Sequence, residues 1–276
     1  MKIKKNLSII KYSNDYLMIQ FILSNIIMQV EDKVKNYAKL SEGSYRLGDK
    51  DATRAERIAD TNEMVKSTGF SVIDDKRYSN PNMTTYKNEE TGEIHVAHRG
   101  THVGGKRGLK DIRNDIAFGL GLTSLDPRFK RRTKNTERVI KDLAPEKLTM
   151  SGHSLGAGTL QYSIANSKKI RKNLDEAHTF NGAANPILNA DLQVSKKDKK
   201  QLEDKVTHHR IKGDVVSAGF NVSVPFGKVK KYSVTHDEKR GKSLMDKIVK
   251  KNPVLSKVKQ LTSKALHAHH IDHFSS

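Results

Sequence analysis

Gly152-His153-Ser154-Leu155-Gly156 is a G-x-S-x-G pentapeptide, a setting in which a serine can act as the nucleophile of acyl transfer. That chemistry needs the hydroxyl pushed out of a very tight turn between a strand and a helix, with strained backbone angles. Side chains two positions before and after the serine would collide in such a turn, so both positions are glycine. The following helix aims its free N–H groups at the site, where they favour developing negative charge. The flanks fit this reading. A strand-like Leu148-Thr149-Met150 precedes the pentapeptide, small Ala157 and Gly158 follow, and Thr159-Leu160-Gln161-Tyr162 is compatible with helix. The plain alternative is a structural glycine turn with an inert serine.

A serine hydroxyl becomes a good nucleophile when a base takes its proton, and an acid orients the base. In α/β-hydrolases the chain order is serine, then Asp or Glu, then His. Asp214, in Gly213-Asp214-Val215-Val216, directly follows the strand-like run Val206–Ile211 and is the candidate acid. Asp191 is a rival, and a turn aspartate capping a helix is the structural reading. The base must lie further on, among His236, His267, His269, His270 and His273. The terminal histidines, with Asp272, could also be read as metal ligands or as a metal-sticky tail. Nothing fixes their spacing on one helix face, so no metal is assigned.

Gly152–Gly158 reads G-H-S-L-G-A-G, and His98-Arg99-Gly100-Thr101 stands about fifty residues upstream. In these motifs the chain resembles the class 3 (fungal-type) lipases of the α/β-hydrolase superfamily, which carry R-G-[ST] before a G-H-S-L-G elbow. The likeness spans roughly residues 31–274 and is dense around the motifs. It implies an oxyanion hole formed by Thr101 and the backbone N–H of Leu155; two such donors supply several kcal/mol to a transition state. Asp214 resembles the family's strand-then-Asp-Pro-Val segment, with valine in place of the proline. The tail Ala268–Phe274 resembles the ending H-[ST]-[IL]-x-x-[FY], which selects His269 as base and leaves His270 in reserve by one residue of register. Asp111 and Asp115 resemble a D-x-x-x-D stretch and read as helix-start anchors. The segment His102–Lys110 stands where relatives carry a lid, and here it is basic, glycine-rich and almost devoid of apolar bulk. The resemblance implies hydrolysis of lipid esters, with neither metal nor organic cofactor.

These residues need a scaffold. From Glu31 the pattern turns helical, with Val34, Tyr37, Ala38, Ser41 and Tyr45 on one face, and residues 49–68 continue as polar helix. Strand-like runs follow at Phe70–Ile73, Glu93–His98, Lys147–Met150, Ala177–Phe180, Val206–Ile211 and Lys228–Val234, with helix-prone stretches at 128–142, after the elbow to Asn166, and at Ser195–Lys205. Alternation of this kind predicts an α/β-hydrolase with a mainly parallel central sheet flanked by helices and a strand–elbow–helix unit over 147–166. Residues 31–276 read as one such domain. Residues 1–30 read as an extension outside it. Basic at the start and apolar over Leu17–Val30, that stretch is short and polar for a membrane span. It has the outline of a weak signal or anchor, and Met28 offers an alternative start.

The chain of 276 residues carries a formal charge of +20 and contains no cysteine. Disulfides, a thiol nucleophile and thiolate metal sites are thereby excluded. The charge draws the protein to anionic partners, and the basic amphipathic stretch after Gly241 could lie on an anionic membrane or dock its stripe on the core. Nucleic acid is disfavoured: no helix-turn-helix, zinc finger or RNA-binding signature is present, and aromatics amount to 6%. The expected compartment is intracellular or membrane-peripheral, with secretion as the alternative. Competing functions are a soluble esterase, thioesterase or acyltransferase on the same fold, and an inactive basic binding module.

Overall fold

The computed structural model describes residues 31–48, 51–100, 127–182, 194–212, 226–233 and Phe274. Helix α1 covers 31–43, and α2 (Arg54–Val65) follows a short 3-10 turn at Arg46–Gly48. Thr53 starts α2 with a capping box. Its hydroxyl accepts from the Glu56 N–H at 3.3 Å, and its own N–H donates to the Glu56 carboxylate at 2.7 Å, satisfying two orphan donors of the first turn. Then come β1 (Phe70–Val72), β2 (Met83–Asn88), β3 (Ile94–His98), α3 (Pro127–Leu143), β4 (Leu148–His153), α4 (Leu155–Asn166), α5 (Lys168–Asn173), β5 (Leu174–Phe180), α6 (Lys196–Glu203), β6 (Val206–Ile211) and β7 (Lys228–Tyr232).

The strands form one sheet in the order of the sequence, β1 to β7. The return between Asn88 and Ile94 is too short for a crossover, so β2 and β3 pair antiparallel, as do β1 and β2. From β3 to β7 every neighbour is parallel. Parallel strands laid side by side in one direction, joined by right-handed crossovers, put all connecting helices on the same face. Accordingly Val139 of α3, Leu160 and Ile164 of α4, Ile170 of α5 and Leu202 of α6 share one core with Val96, Met150, Ala177 and Val206. The opposite face is covered by α1 and α2, whose Tyr37, Leu40, Ile58 and Val65 meet Phe70, Tyr86, Ala97, Phe180 and Ile211.

The expected mainly parallel sheet with flanking helices and the strand–elbow–helix unit are present. Several elements and boundaries differ from the sequence reading, including the start of α2 at Arg54 rather than at residue 49. β2 and α5 are additional elements, β4 runs on to His153, and β5 begins at Leu174. Residues 1–30 and the basic stretch after Gly241 lie outside the described residues, save Phe274. Among the described residues no helix is long and apolar enough to cross a membrane.

The face under α1 is unusually polar. Ser41 Oγ donates to Ser151 Oγ at 2.7 Å, Ser151 Oγ meets His95 Nε2 at 2.7 Å, and His95 Nδ1 meets Thr149 Oγ1 at 2.8 Å. Thr149 in turn donates to Glu93 at 2.6 Å, where Tyr37 also donates at 2.9 Å. The Thr149 hydroxyl spends its proton on Glu93, so His95 donates through Nδ1 and its Nε2 accepts. A second chain runs from Glu176 to His178 Nε2 (2.9 Å), from His178 Nδ1 to His209 Nε2 (2.9 Å), and from His209 Nδ1 to the Tyr232 hydroxyl (2.8 Å). Burial would raise the Glu176 carboxyl, but hydrogen bonds from His178 and Lys33 and their charge hold it at about 2.

Burial pushes His95 and His209 well below the usual imidazole value, with the neighbouring His178 adding to it. On the other face burial and Arg132 lower His98 to about 3, and burial lowers His208 to about 4. A histidine whose folded value lies below its unfolded value near 6.5 stabilises the fold above that pH, because below it the unfolded chain takes up protons the folded chain refuses. Glu176, lowered from 4.5, acts in the same direction at lower pH. The melting temperature should therefore fall as the pH drops below 6.5 and keep falling through pH 4. Calorimetry across pH 8 to 4 checks this, and a melting temperature flat over that range would contradict it.

Candidate active site

Ser154 stands between the end of β4 and the start of α4 with φ 56° and ψ −124°. A non-glycine residue there is strained by about 1–3 kcal/mol. Its N–H donates to the carbonyl of Phe180 on β5 at 3.1 Å, and its own carbonyl accepts from Ala157 and Gly158. The turn is thus pinned to the neighbouring strand and to the helix it opens, while the Ser154 side chain does not cap α4. Leu155, the first residue of α4, has no acceptor one turn earlier in the helix for its N–H, and the positive end of the helix dipole lies at the serine.

The flanking glycines are explained by their surroundings. A Cβ on Gly152 would stand 2.6 Å from the carbonyl carbon and oxygen of Gly156, inside the turn itself. A Cβ on Gly156 would stand 2.0 Å from the carbonyl oxygen of His98 and 2.8 Å from the carbonyl carbon of Arg99. The second glycine therefore makes room for the exit of β3, not for the turn alone, and ties the elbow to Arg99-Gly100. Gly100 is close-packed as well: a Cβ would lie 2.7 Å from the His153 carbonyl oxygen and 3.3 Å from Ser154 Cβ. The segment leading into Thr101 is thus held against the nucleophile turn.

Two side chains that the sequence did not single out for the site hold this junction. Arg132 of α3 donates Nη1 to the Arg99 carbonyl at 2.8 Å and to Thr159 Oγ1 at 3.3 Å, and Nη2 to Asn82 Oδ1 at 3.3 Å. Tyr45 meets His153 Nδ1 at 2.9 Å and takes a hydrogen bond from the Gly100 backbone. Burial pushes the Tyr45 hydroxyl up, against the opposing charge of Arg99, so it stays protonated. His153 thus hydrogen-bonds locally. Among the described residues, Arg99 Nε and Nη1 are buried with no hydrogen-bond partner. Burial lowers the guanidinium from its ordinary value while Tyr45 opposes the shift, and the guanidinium lies against Gly48, where a Cβ would meet it.

Ser154 and Leu155 are thus placed together. Thr101, Asp214 and His269 lie outside the described residues. So do Asp191, His236, His267, His270, Asp272 and His273, the segment His102–Lys110, and Asp111 and Asp115. The described residue nearest the tail's candidate bases is Phe274. It is buried and packs against Phe180, His209 and Tyr232, with ring centroids 5.1, 6.2 and 5.7 Å apart. Among the described residues no group of three or more His, Asp or Glu is arranged to hold a metal ion.

A mainly parallel sheet covered by helices, with a strained serine between a strand and a helix flanked by two obligate glycines, defines an α/β-hydrolase of the serine type. The chain belongs to the phospholipase-like family: the model of its Tle-like phospholipase domain matches residues 36–271. It is accordingly a carboxylic ester hydrolase acting on lipids. Similar solved structures include the Lip2 lipase of Yarrowia lipolytica, with 17% identity over 75% of this chain and 79% of that one and a TM-score of 0.42. The Rhizomucor miehei lipase–propeptide complex gives 15% identity over 75% and 69%, with a TM-score of 0.43. A fungal lipase–inhibitor complex gives 14% over 86% and 96%, with a TM-score of 0.46. No match was found among curated proteins.

Proposed function

We propose that the protein hydrolyses acyl esters of phospholipids through an acyl-enzyme on Ser154. The observation that carries this is Ser154 itself, held at φ 56° at the mouth of α4 with the Leu155 N–H beside it. Ser154 Oγ attacks the acyl carbonyl while His269, oriented by Asp214, takes its proton. The tetrahedral oxyanion is received by the N–H of Leu155 and by Thr101. His269 then protonates the departing alcohol, the lysophospholipid leaves, and a water deprotonated by the same histidine frees the fatty acid. Phe274 supports a base drawn from the tail histidines. It lies five positions after His269 and packs on Phe180, whose carbonyl accepts the Ser154 N–H. Five residues span at most about 17 Å, a length compatible with a base at this position serving Ser154.

The charge supports an anionic lipid surface as the place of work. The formal charge of +20 raises encounter with anionic vesicles. Hydrolysis of a phospholipid in vesicles containing phosphatidylglycerol should be at least tenfold faster than in purely zwitterionic vesicles at low salt. That advantage should shrink in 0.5 M NaCl, where the Debye length falls to about 4 Å. Equal rates on both vesicles would defeat the headgroup part of the reading, and no hydrolysis of either would defeat the substrate class.

A further inference from the structure

We propose that a groove along the outer face of α3 binds a small ligand carrying two or more phosphate groups. The groove has a volume of about 410 Å³, and three separate segments line it. α3 contributes Lys134, Arg138 and Lys141, α5 contributes Lys169, and the β1–β2 connection contributes Arg77. Two carboxylates, Glu137 and Asp142, complete the wall.

The charges are arranged against the ordinary habit of a helix surface. Glu137 with Lys141, and Arg138 with Asp142, have the i,i+4 spacing that favours ion pairs on a helix, yet neither pair forms. Glu137 instead accepts from the Ser167 hydroxyl at 2.6 Å, and Asp142 accepts from the Tyr78 hydroxyl at 3.1 Å. Arg77 is paired with Asp75 at 2.7 Å. Among the described residues, Lys134, Arg138, Lys141 and Lys169 have no carboxylate partner, and they face one concavity. Lys134, Arg138 and Lys141 follow one another at i, i+4 and i+7, a like-charge stripe that an isolated helix disfavours. Several unneutralised cations from different elements around one hollow match a compact polyanion better than a single phosphate.

The groove is not the ester site. α4 starts directly after Ser154, and its twelve residues carry the chain about 18 Å away at 1.5 Å per residue before Lys169 is reached. α3 ends at Leu143, just before β4 begins at Leu148, at the end of the strand opposite Ser154. A ligand in the groove therefore cannot present an ester to Ser154. It can be held while the catalytic end of the sheet faces a lipid surface.

Isothermal titration of the full chain with inositol hexakisphosphate in 150 mM salt tests this, with orthophosphate as the singly phosphorylated contrast. Because the whole protein is basic, the comparison is between two charge-matched triple variants of exposed residues. One is Lys134→Gln with Arg138→Gln and Lys141→Gln; the other is Lys196→Gln with Lys197→Gln and Lys199→Gln on α6. The groove variant should bind inositol hexakisphosphate at least tenfold more weakly, the α6 variant less than threefold more weakly, and Lys169→Glu should follow the groove variant. Wild type should prefer inositol hexakisphosphate over orthophosphate by a hundredfold or more. Fluorophosphonate labelling should be the same in all variants, which separates this site from the ester chemistry. Equal weakening in both triple variants, no saturable binding by wild type, or loss of vesicle binding with inositol hexakisphosphate binding retained would each overturn the proposal.

Discussion

Replacing Ser154 with alanine is expected to lower ester hydrolysis by about 10⁴- to 10⁶-fold, the loss that follows removal of a triad serine, while the fold and melting temperature stay in place. The side chain lost is one hydroxyl, and alanine keeps the Cβ and therefore the strain of φ 56°. Glycine at the same position removes the Cβ as well. Ser154→Gly should be as inactive as Ser154→Ala but more stable by about 1 kcal/mol, because glycine adopts positive φ without penalty. That pairing shows whether strain at the elbow is held for function. Hydrolysis of a nitrophenyl ester and thermal unfolding of the three proteins supply the two readouts. His269→Ala should match the activity loss of Ser154→Ala, and His270→Ala should not. The reverse pattern would move the base by one residue. Substantial activity left in Ser154→Ala would remove the serine from the mechanism.

Gly156→Ala is the substitution expected to damage the fold most. The added Cβ would lie 2.0 Å from the His98 carbonyl oxygen, and neither side of that contact can move cheaply. Gly156 is in the first turn of α4. His98 is the last residue of β3, paired with Gly152 on β4, and the next carbonyl is gripped by Arg132. Relief requires separating β3 from the elbow, so the loss should reach about 4 kcal/mol or more, in the range reserved for gross packing faults. It should also carry Arg99-Gly100 away from the nucleophile, so that any folded fraction is less active per molecule. Gly158→Ala, two residues further along the same helix, is the control: nothing lies within 4 Å of its added Cβ. It should be neutral or stabilising by up to about 1 kcal/mol, as for glycine replaced in a helix interior. Urea unfolding midpoints compare the two. Similar values for Gly156→Ala and Gly158→Ala would show that the β3 exit is not packed as described.

The parts of this molecule that were readable from sequence are those where backbone geometry demands particular residues at fixed offsets. The elbow is the clearest. Gly152 and Gly156 are required by contacts of 2.6 and 2.0 Å, and no other residue type fits. The helices α3 and α6 and the strand β6 likewise announce themselves by pattern and length. β2 did not, because Met83, Thr84, Thr85 and Tyr86 are all buried and a strand covered on both faces shows no alternation. α5 is six residues long and mostly charged, too short for a periodicity to emerge. The histidine layer was equally hidden. His95, His178 and His209 sit on three strands separated widely in sequence, and only the parallel register brings them under α1 into one hydrogen-bonded face. Within the site, Tyr45 and Arg132 resembled a stripe residue and one more cation of a basic helix. Their roles arise from tertiary placement against Gly100 and the Arg99 carbonyl, for which no local signal exists. The proposed acid and base, Asp214 and His269, rest on chain order and on resemblance.

The central claim, an activated nucleophile at Ser154, is tested most directly by treating the folded full-length protein with a fluorophosphonate and locating the adduct by peptide mass spectrometry. One phosphonyl group per chain, on the peptide containing Ser154 and absent after heat unfolding before treatment, is the predicted result. A folded protein that takes up no phosphonyl group, or takes it up at another residue while Ser154 stays unmodified, would contradict it.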